Sequence, residues 1–185
     1  MARTWLSITV ELIEGRGQHL WPRPGRMFVA ARSHTFAQFA EAIDDAFARW
    51  DRAHLHEFHF PDPDGPTGGY ERVAVPDFDW DDETVTDLRT TKLSRLTRGE
   101  QFLYVFDLGD DWTHLCTVAD QRVDPLDVYG ITPARPAAYF GWGDIPDQYG
   151  RRHLGDTADD DPVPPDPKLA DLPPLRPWWG PQTRT

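Results

Sequence analysis

The stretch FDLGDDWTH, Phe106 to His114, gathers three carboxylates, an indole and an imidazole around Gly109. An aspartate beside a histidine can orient the ring and raise its pKa, which is how a general base begins. Asp110 and Asp111 would be the groups to hold a divalent ion next to such a pair. The same residues also make a plain turn, in which aspartates satisfy loop amides and the histidine hydrogen-bonds within a sheet.

Which chemistry is open depends on facing. Gly109-Asp110 suits a two-residue type II′ turn, and Leu108–Asp111 would make a four-residue loop. Either loop sets Asp107 opposite Trp112. Alternation then puts Leu103, Val105 and Asp107 on one face with Trp112, His114 and Cys116. Phe102, Tyr104 and Phe106 share the other face with Thr113, Leu115 and Thr117. Asp107 and His114 become diagonal neighbours about 7 Å apart at Cα.

HLHEFHF, His54 to Phe60, adds a second group. His54 and His56 fall on one face of a strand and His59 on the other. Two imidazoles at that spacing can share a metal, and Asp107 or His114 could complete the set. Hydrogen-bonded sheet histidines are the commoner outcome, so no metal site is assigned. Asp77, Asp79 and Asp81 begin at calcium-loop spacing. The required glycine and glutamate positions hold Asp82 and Leu88, which rejects an EF-hand. Arg89, Lys92, Arg95 and Arg98 recur every three residues. On a short helix they form a basic stripe, either a wet face or a patch for phosphates or an acidic partner. No Gly-x-Ser-x-Gly elbow, phosphate loop or dinucleotide fingerprint is present.

The elements that must position these residues are short. Trp5 to Ile13 alternates as a strand, with Leu6, Ile8, Val10 and Leu12 on one side. A Gly/Pro loop follows, then a strand at Arg26 to Ala31. Thr35 and Gln38 make a capping box. Phe36, Phe39, Ala40, Ile43 and Phe47 continue as one apolar helical stripe, with Asp44, Asp45 and Arg49 expected to be wet. His54–Phe60 reads as a third strand, and Tyr70–Val75 pairs back on it. Residues 76–87 read as an acidic loop. Leu93 and Leu96 point inward from a short helix or turn. Gln101–Asp107 and Trp112–Ala119 are the hairpin strands.

Composition bounds the class. The 185 residues carry a net charge of −12, which disfavours polyanionic partners such as nucleic acid or an anionic membrane surface. Cys116 is the single cysteine, so internal disulfides and zinc sites with two thiolates are excluded. No apolar run is long enough to span a membrane, and the start reads as a strand, which makes a cytoplasmic protein the expectation. Residues 160–185 hold eight prolines and read as an extended tail, in which PPLRPWWG is either a proline-rich ligand for an aromatic groove or, the favoured expectation, a segment whose Trp178 and Trp179 fold back on the domain.

LSRLTRGEQFLYVFDLGDDWTHLCTV resembles the signature of the plasmid Orf-three-like family, also labelled insertion-element passenger TnpR-like. Leu93, Leu96, Tyr104, Phe106, Asp107, Gly109, Asp110, Trp112 and His114 carry the match, with Leu108 where phenylalanine is usual. FAQFAEAIDDAFARWDRAHLHEF resembles the family's helix and His-Leu-His strand through His54, Leu55, His56 and Phe58. The segment AYFGWGDIPDQYGRR departs from the family pattern. The resemblance covers residues 4–150 and implies an α+β domain related to the ubiquitin-like grasp, with no assigned activity. The TnpR label suggests a recombinase, yet Ser7, Ser33 and Ser94 are the only serines and none lies in an arginine-rich catalytic setting.

The expectation is therefore an α+β domain over residues 1–150, mainly an antiparallel sheet on one principal helix, with an acidic, Pro-rich extension over 151–185. Its expected role is a non-enzymatic protein or peptide interaction module without cofactor. The hairpin, the third strand and aromatic segment 139–149 would form its surface, through His54, His56, Asp107, Asp110, Asp111, Trp112 and His114. A hydrolase or nuclease using His114 with Asp107, and nucleic-acid association through the basic stripe, are the alternatives.

Overall fold

The computed structural model describes residues 4–62, 64, 69–76 and 85–149. The Asp77–Asp82 acidic run and the Pro-rich extension with Trp178 and Trp179 lie outside the described residues. The strands are β1 (Trp5–Gly15), β2 (Gln18–His19), β3 (Gly25–Ala31), β4 (His56–Asp62), β5 (Gly69–Ala74), β6 (Val85–Asp87), β7 (Gln101–Phe106), β8 (Trp112–Val118) and β9 (Ala137–Trp142). They form one sheet in the order β6-β5-β4-β7-β8-β1-β3-β9, with β2 folded back on β1. Every pairing is antiparallel except β5 with β6. The architecture is a mostly-sheet α+β fold. The ubiquitin-like opening is a finer expectation that this strand order leaves without support.

Helix α1 (Phe36–Ala46) starts where the capping box predicts. Thr35 Oγ1 accepts from Gln38 N at 3.3 Å, and Gln38 Oε1 accepts from Thr35 N at 3.0 Å. Its stripe of Phe36, Phe39, Ala40, Ile43 and Phe47 is fully buried. It packs on the inward face of the sheet, where β1 supplies Leu6, Ile8, Val10 and Leu12 and the central strands supply Phe58, Phe60, Phe102, Tyr104 and Phe106. The opposite face of β1 is covered as well. Trp5, Val29 and Ala31 form a second apolar cluster with Val123, Val128, Tyr129, Ala137 and Tyr139. Residues 120–149 are therefore more ordered than their turn-rich composition suggests: they contribute α2 (Pro125–Val128) and edge strand β9 (Ala137–Trp142).

Two charged residues expected in solvent lie inside. Asp44 flanks the apolar stripe one turn after Ala40, and its carboxylate accepts from the buried Tyr104 hydroxyl at 2.7 Å. Arg49 never occupies a helical position. Ala48 takes a left-handed φ of 51°, and Arg49 N returns to Asp44 O at 2.8 Å. That reversal is the Schellman geometry of a helix end, and it turns Arg49 inward. Asp45 stays wet, as expected.

Candidate functional site

The hairpin departs from the expected register. Phe106, not Asp107, lies opposite Trp112, and Tyr104 lies opposite His114. The loop is therefore Asp107–Asp111, five residues long. An odd count inverts the facing, because side chains alternate with a period of two. Phe102, Tyr104 and Phe106 share the core face with Trp112, His114 and Cys116, while Leu103 and Val105 share the outer face with Thr113, Leu115 and Thr117. The loop turns on aspartates. Asp107 has φ 58° and Asp111 φ 57°, and Asp111 N donates to Asp107 O at 2.7 Å. Gly109 has no positive φ, so the type II′ role expected of it is not the one it plays.

This geometry separates the expected pair. His114 enters the core with no exposure, and its Nδ1 donates to the Tyr104 carbonyl at 3.2 Å. Burial lowers its pKa to about 3, assisted by the Arg49 charge. Asp107 instead meets His54, which precedes β4 and is not part of it. The two Asp107 oxygens divide the work. Oδ1 accepts from Gly109 N at 3.0 Å and Asp110 N at 3.3 Å, and Oδ2 stands 3.2 Å from His54 Nδ1. His54 Nε2 lies 2.5 Å from the Tyr149 hydroxyl, which donates to Asp51 Oδ2 at 2.8 Å. Asp107, His54, Tyr149 and Asp51 thus form one polar chain across the corner where the hairpin loop, the 48–55 turn and the 144–149 segment meet.

That segment is fastened by more than Tyr149. Gln148 Oε1 accepts from the amides of Trp50 and Asp51, both at 3.1 Å, and its Nε2 donates back to Asp51 O. Trp50 Nε1 donates to Asp147 Oδ1 at 3.2 Å. Burial, reinforced by Asp51, pushes the Tyr149 phenol up to about 12, and the Tyr149 hydrogen bond holds Asp51 below the usual carboxylate range. At neutral pH the phenol keeps its proton.

The remaining predicted residues are distributed around this corner. His56 sits at the start of β4 beside the Tyr104 ring, its ring centroid 5.9 Å away. Desolvation lowers its pKa. Asp110 Oδ2 lies 3.6 Å from Arg16 Nε at the surface, and Asp111 is exposed. Trp112 is buried over Gly15. A Cβ built on Gly15 would stand 2.1 Å from a ring carbon of Trp112, so the glycine is a requirement of packing. Gly15→Ala is expected to displace the indole and cost about 1–3 kcal/mol, read as a lower urea midpoint with an unchanged slope. Among the described residues, no group of three or more His, Cys, Asp or Glu is disposed to hold a metal ion.

The basic stripe does not form. Only Leu93–Arg95 is helical, as one 3-10 turn, with Leu93 and Leu96 buried as expected. Two of its four cations are already matched: Arg89 with Asp87 at 2.8 Å and Arg95 with Glu71 at 2.6 Å. Arg95 also lies over the Phe60 ring, 4.5 Å from its centroid. Lys92 and Arg98 are exposed. Sequence reasoning missed Arg49, Asp51 and Tyr149.

The molecule defined by these features is a sheet-dominated α+β protein with a His/Asp corner at one hairpin loop. A family model of the plasmid pRiA4b ORF-3-like proteins matches residues 6–137, most of the chain, and the protein belongs to that family. Its match spans β1 through the start of β9 and includes the whole hairpin. No curated protein matches the chain. A protein of unknown function from Methanosarcina mazei Go1 has a similar crystal structure. The TM-score is 0.56 at 20% sequence identity, over 76% of this chain and 70% of that one. This likeness shows a shared fold. No helix among the described residues is long and apolar enough to cross a membrane.

Proposed function

We propose that the protein is a non-enzymatic interaction module whose contact surface is the His54 corner, and that its partner is a protein segment carrying lysine or arginine. The observation that carries this reading is the preorganised, solvent-facing row of acids around His54. Asp51 keeps 33% of its side chain exposed and Asp110, 3.6 Å from the half-exposed Arg16, keeps 32%, while hydrogen bonds from below hold the groups behind them in place. Trp50 adds a half-open aromatic ring beside them. Fixed carboxylates next to an aromatic face suit a cationic side chain. The overall negative charge favours encounter with a basic partner for the same reason.

The hydrolase reading loses its base, since His114 is enclosed and burial lowers its pKa to about 3. An Asp107–His54 pair remains on the surface, but His54 Nε2 is already hydrogen-bonded to the Tyr149 oxygen, whose own proton goes to Asp51. Binding of fluorescent Lys/Arg-rich peptides, with acidic peptides as controls, tests the proposal. Asp51→Asn with Asp110→Asn is expected to weaken the best cationic peptide about tenfold, in line with loss of a charged contact. The reading fails if no cationic peptide binds saturably, or if the double variant binds as wild type does. Phosphoesterase turnover that disappears in His54→Ala would replace it with catalysis.

A further inference from the structure

Three buried side chains are neighbours beneath the corner just described. The Arg49 guanidinium is fully buried and stacks on Trp112, with its carbon 4.0 Å from the indole centroid. Trp112 and His114 are alternate residues of β8 on the same face. The Arg49 charge is felt at the His114 ring. Among the described residues, Arg49 Nε, Nη1 and Nη2, Trp112 Nε1 and His114 Nε2 are all buried without a hydrogen-bond partner. Buried polar groups are nearly always paired, and a buried full charge without a hydrogen-bonded counterion costs far more than a neutral group.

The carboxylates nearby do not close this gap. Asp44 and Asp147 both act on Arg49 through space, yet among the described residues none of the Arg49 side-chain nitrogens has a hydrogen-bond partner. Asp44 is committed to the Tyr104 hydroxyl and, at 3.6 Å, to Arg52, and burial raises its pKa to about 7. Asp147 is committed to Trp50 and to the Tyr149 amide. Arg49, lowered only to about 10, remains a cation at neutral pH. A water molecule would satisfy some of these donors but would bring no charge.

We infer that Arg49, Trp112 and His114 form an internal binding site for a small oxyanion, a carboxylate or a phosphate. The planar guanidinium fork matches two oxygens of such a group. The Trp112 indole N–H is a third donor. His114 supplies the fourth when it takes up a proton: Nδ1 already donates to Tyr104 O, so the added proton sits on Nε2 and faces the anion. Entry requires release of the 144–149 segment, because buried Ile145, Asp147 and Gln148 close over the turn that carries Arg49. The same segment carries Tyr149 of the surface corner, so the test below reads anion binding in the absence of any peptide partner.

Thermal unfolding in acetate, phosphate or chloride at matched ionic strength tests the inference. Acetate or phosphate at about 100 times its dissociation constant should raise the midpoint by about 5–10 °C over chloride. The response should grow as pH falls toward 5, because the anion arrives with a proton. A rise with acetate alone identifies a carboxylate site, and a rise with phosphate alone a phosphate site. Arg49→Met should fold without the unpaired charge and show no rise. An equal response to all three salts in wild type, or a rise that persists in Arg49→Met, would overturn the assignment. If Arg49→Met does not fold, crystals of the wild-type protein grown in acetate and in phosphate decide. Density for either anion within hydrogen-bond distance of Arg49 supports the site, and water alone there in both, or an adventitious ion only at surface positions, refutes it.

Discussion

Asp44→Asn is expected to change the pH dependence of stability more than any other single substitution in this protein. Asp44 and His114 are both buried, and their titrations oppose each other. Asp44 has a folded pKa of about 7 against an ordinary 3.8, chiefly because burial penalises the carboxylate. The native state therefore holds a proton that the unfolded chain has released. This contribution is fully present below pH 3.8 and is lost as pH rises to 7. His114 has a folded pKa of about 3 against 6.5, again chiefly through burial. Here the unfolded chain binds the proton, so stability rises with pH from 3 to 6.5. In wild type the two slopes offset one another between pH 3.8 and 6.5. Asparagine keeps an acceptor for Tyr104 and removes the falling slope. The stability difference between variant and wild type should shift by on the order of 4 kcal/mol from pH 4 to pH 8 in favour of the variant. Urea unfolding at several pH values, in media free of carboxylate and phosphate, measures it. Parallel profiles for the two proteins would show that Asp44 is not held protonated by its surroundings.

Phe36→Ala is expected to cost about 3–5 kcal/mol, because it combines lost transfer energy with an internal void. Phe36 is the first residue of α1 and is fully buried. Its ring meets three others edge-on, with centroids 5.0 Å from Phe58, 5.6 Å from Phe60 and 6.2 Å from Phe102. Those rings come from β4 and β7, so this one side chain couples the helix start to the sheet centre. The surrounding rings cannot collapse onto an alanine without losing their stacking, such as the 4.7 Å pair of Phe60 and Phe102. Chemical denaturation should show a lower midpoint with the slope retained. A cost below about 1 kcal/mol would mean that the helix docks through other residues.

The parts legible in the sequence were those set by local rules. The capping box and the apolar stripe of α1, the alternation of β1 and the inward leucines at 93 and 96 depend on neighbours a few residues away. The hairpin failed at one point, its parity. Glycine is the usual choice for a left-handed turn, but aspartate also tolerates that conformation, and here Asp107 and Asp111 adopt it instead of Gly109. From that single residue follow the loss of the Asp107–His114 pair and the burial of His114. The His54 corner and the burial of Asp44 were illegible for a different reason. Their partners are remote: Tyr104 is 60 residues from Asp44, and Tyr149 is 95 from His54 and 98 from Asp51. No periodicity in a charged segment reports a hydroxyl that arrives from so far along the chain.

The odd length of the 107–111 loop also constrains how such chains can diverge. A single-residue deletion or insertion there, with strand pairing kept, would turn the aromatic, imidazole and thiol side chains of β8 outward and bring its threonines into the interior. Length changes at this tip should therefore accumulate in steps of two, or be accompanied by a compensating bulge within the adjoining strands.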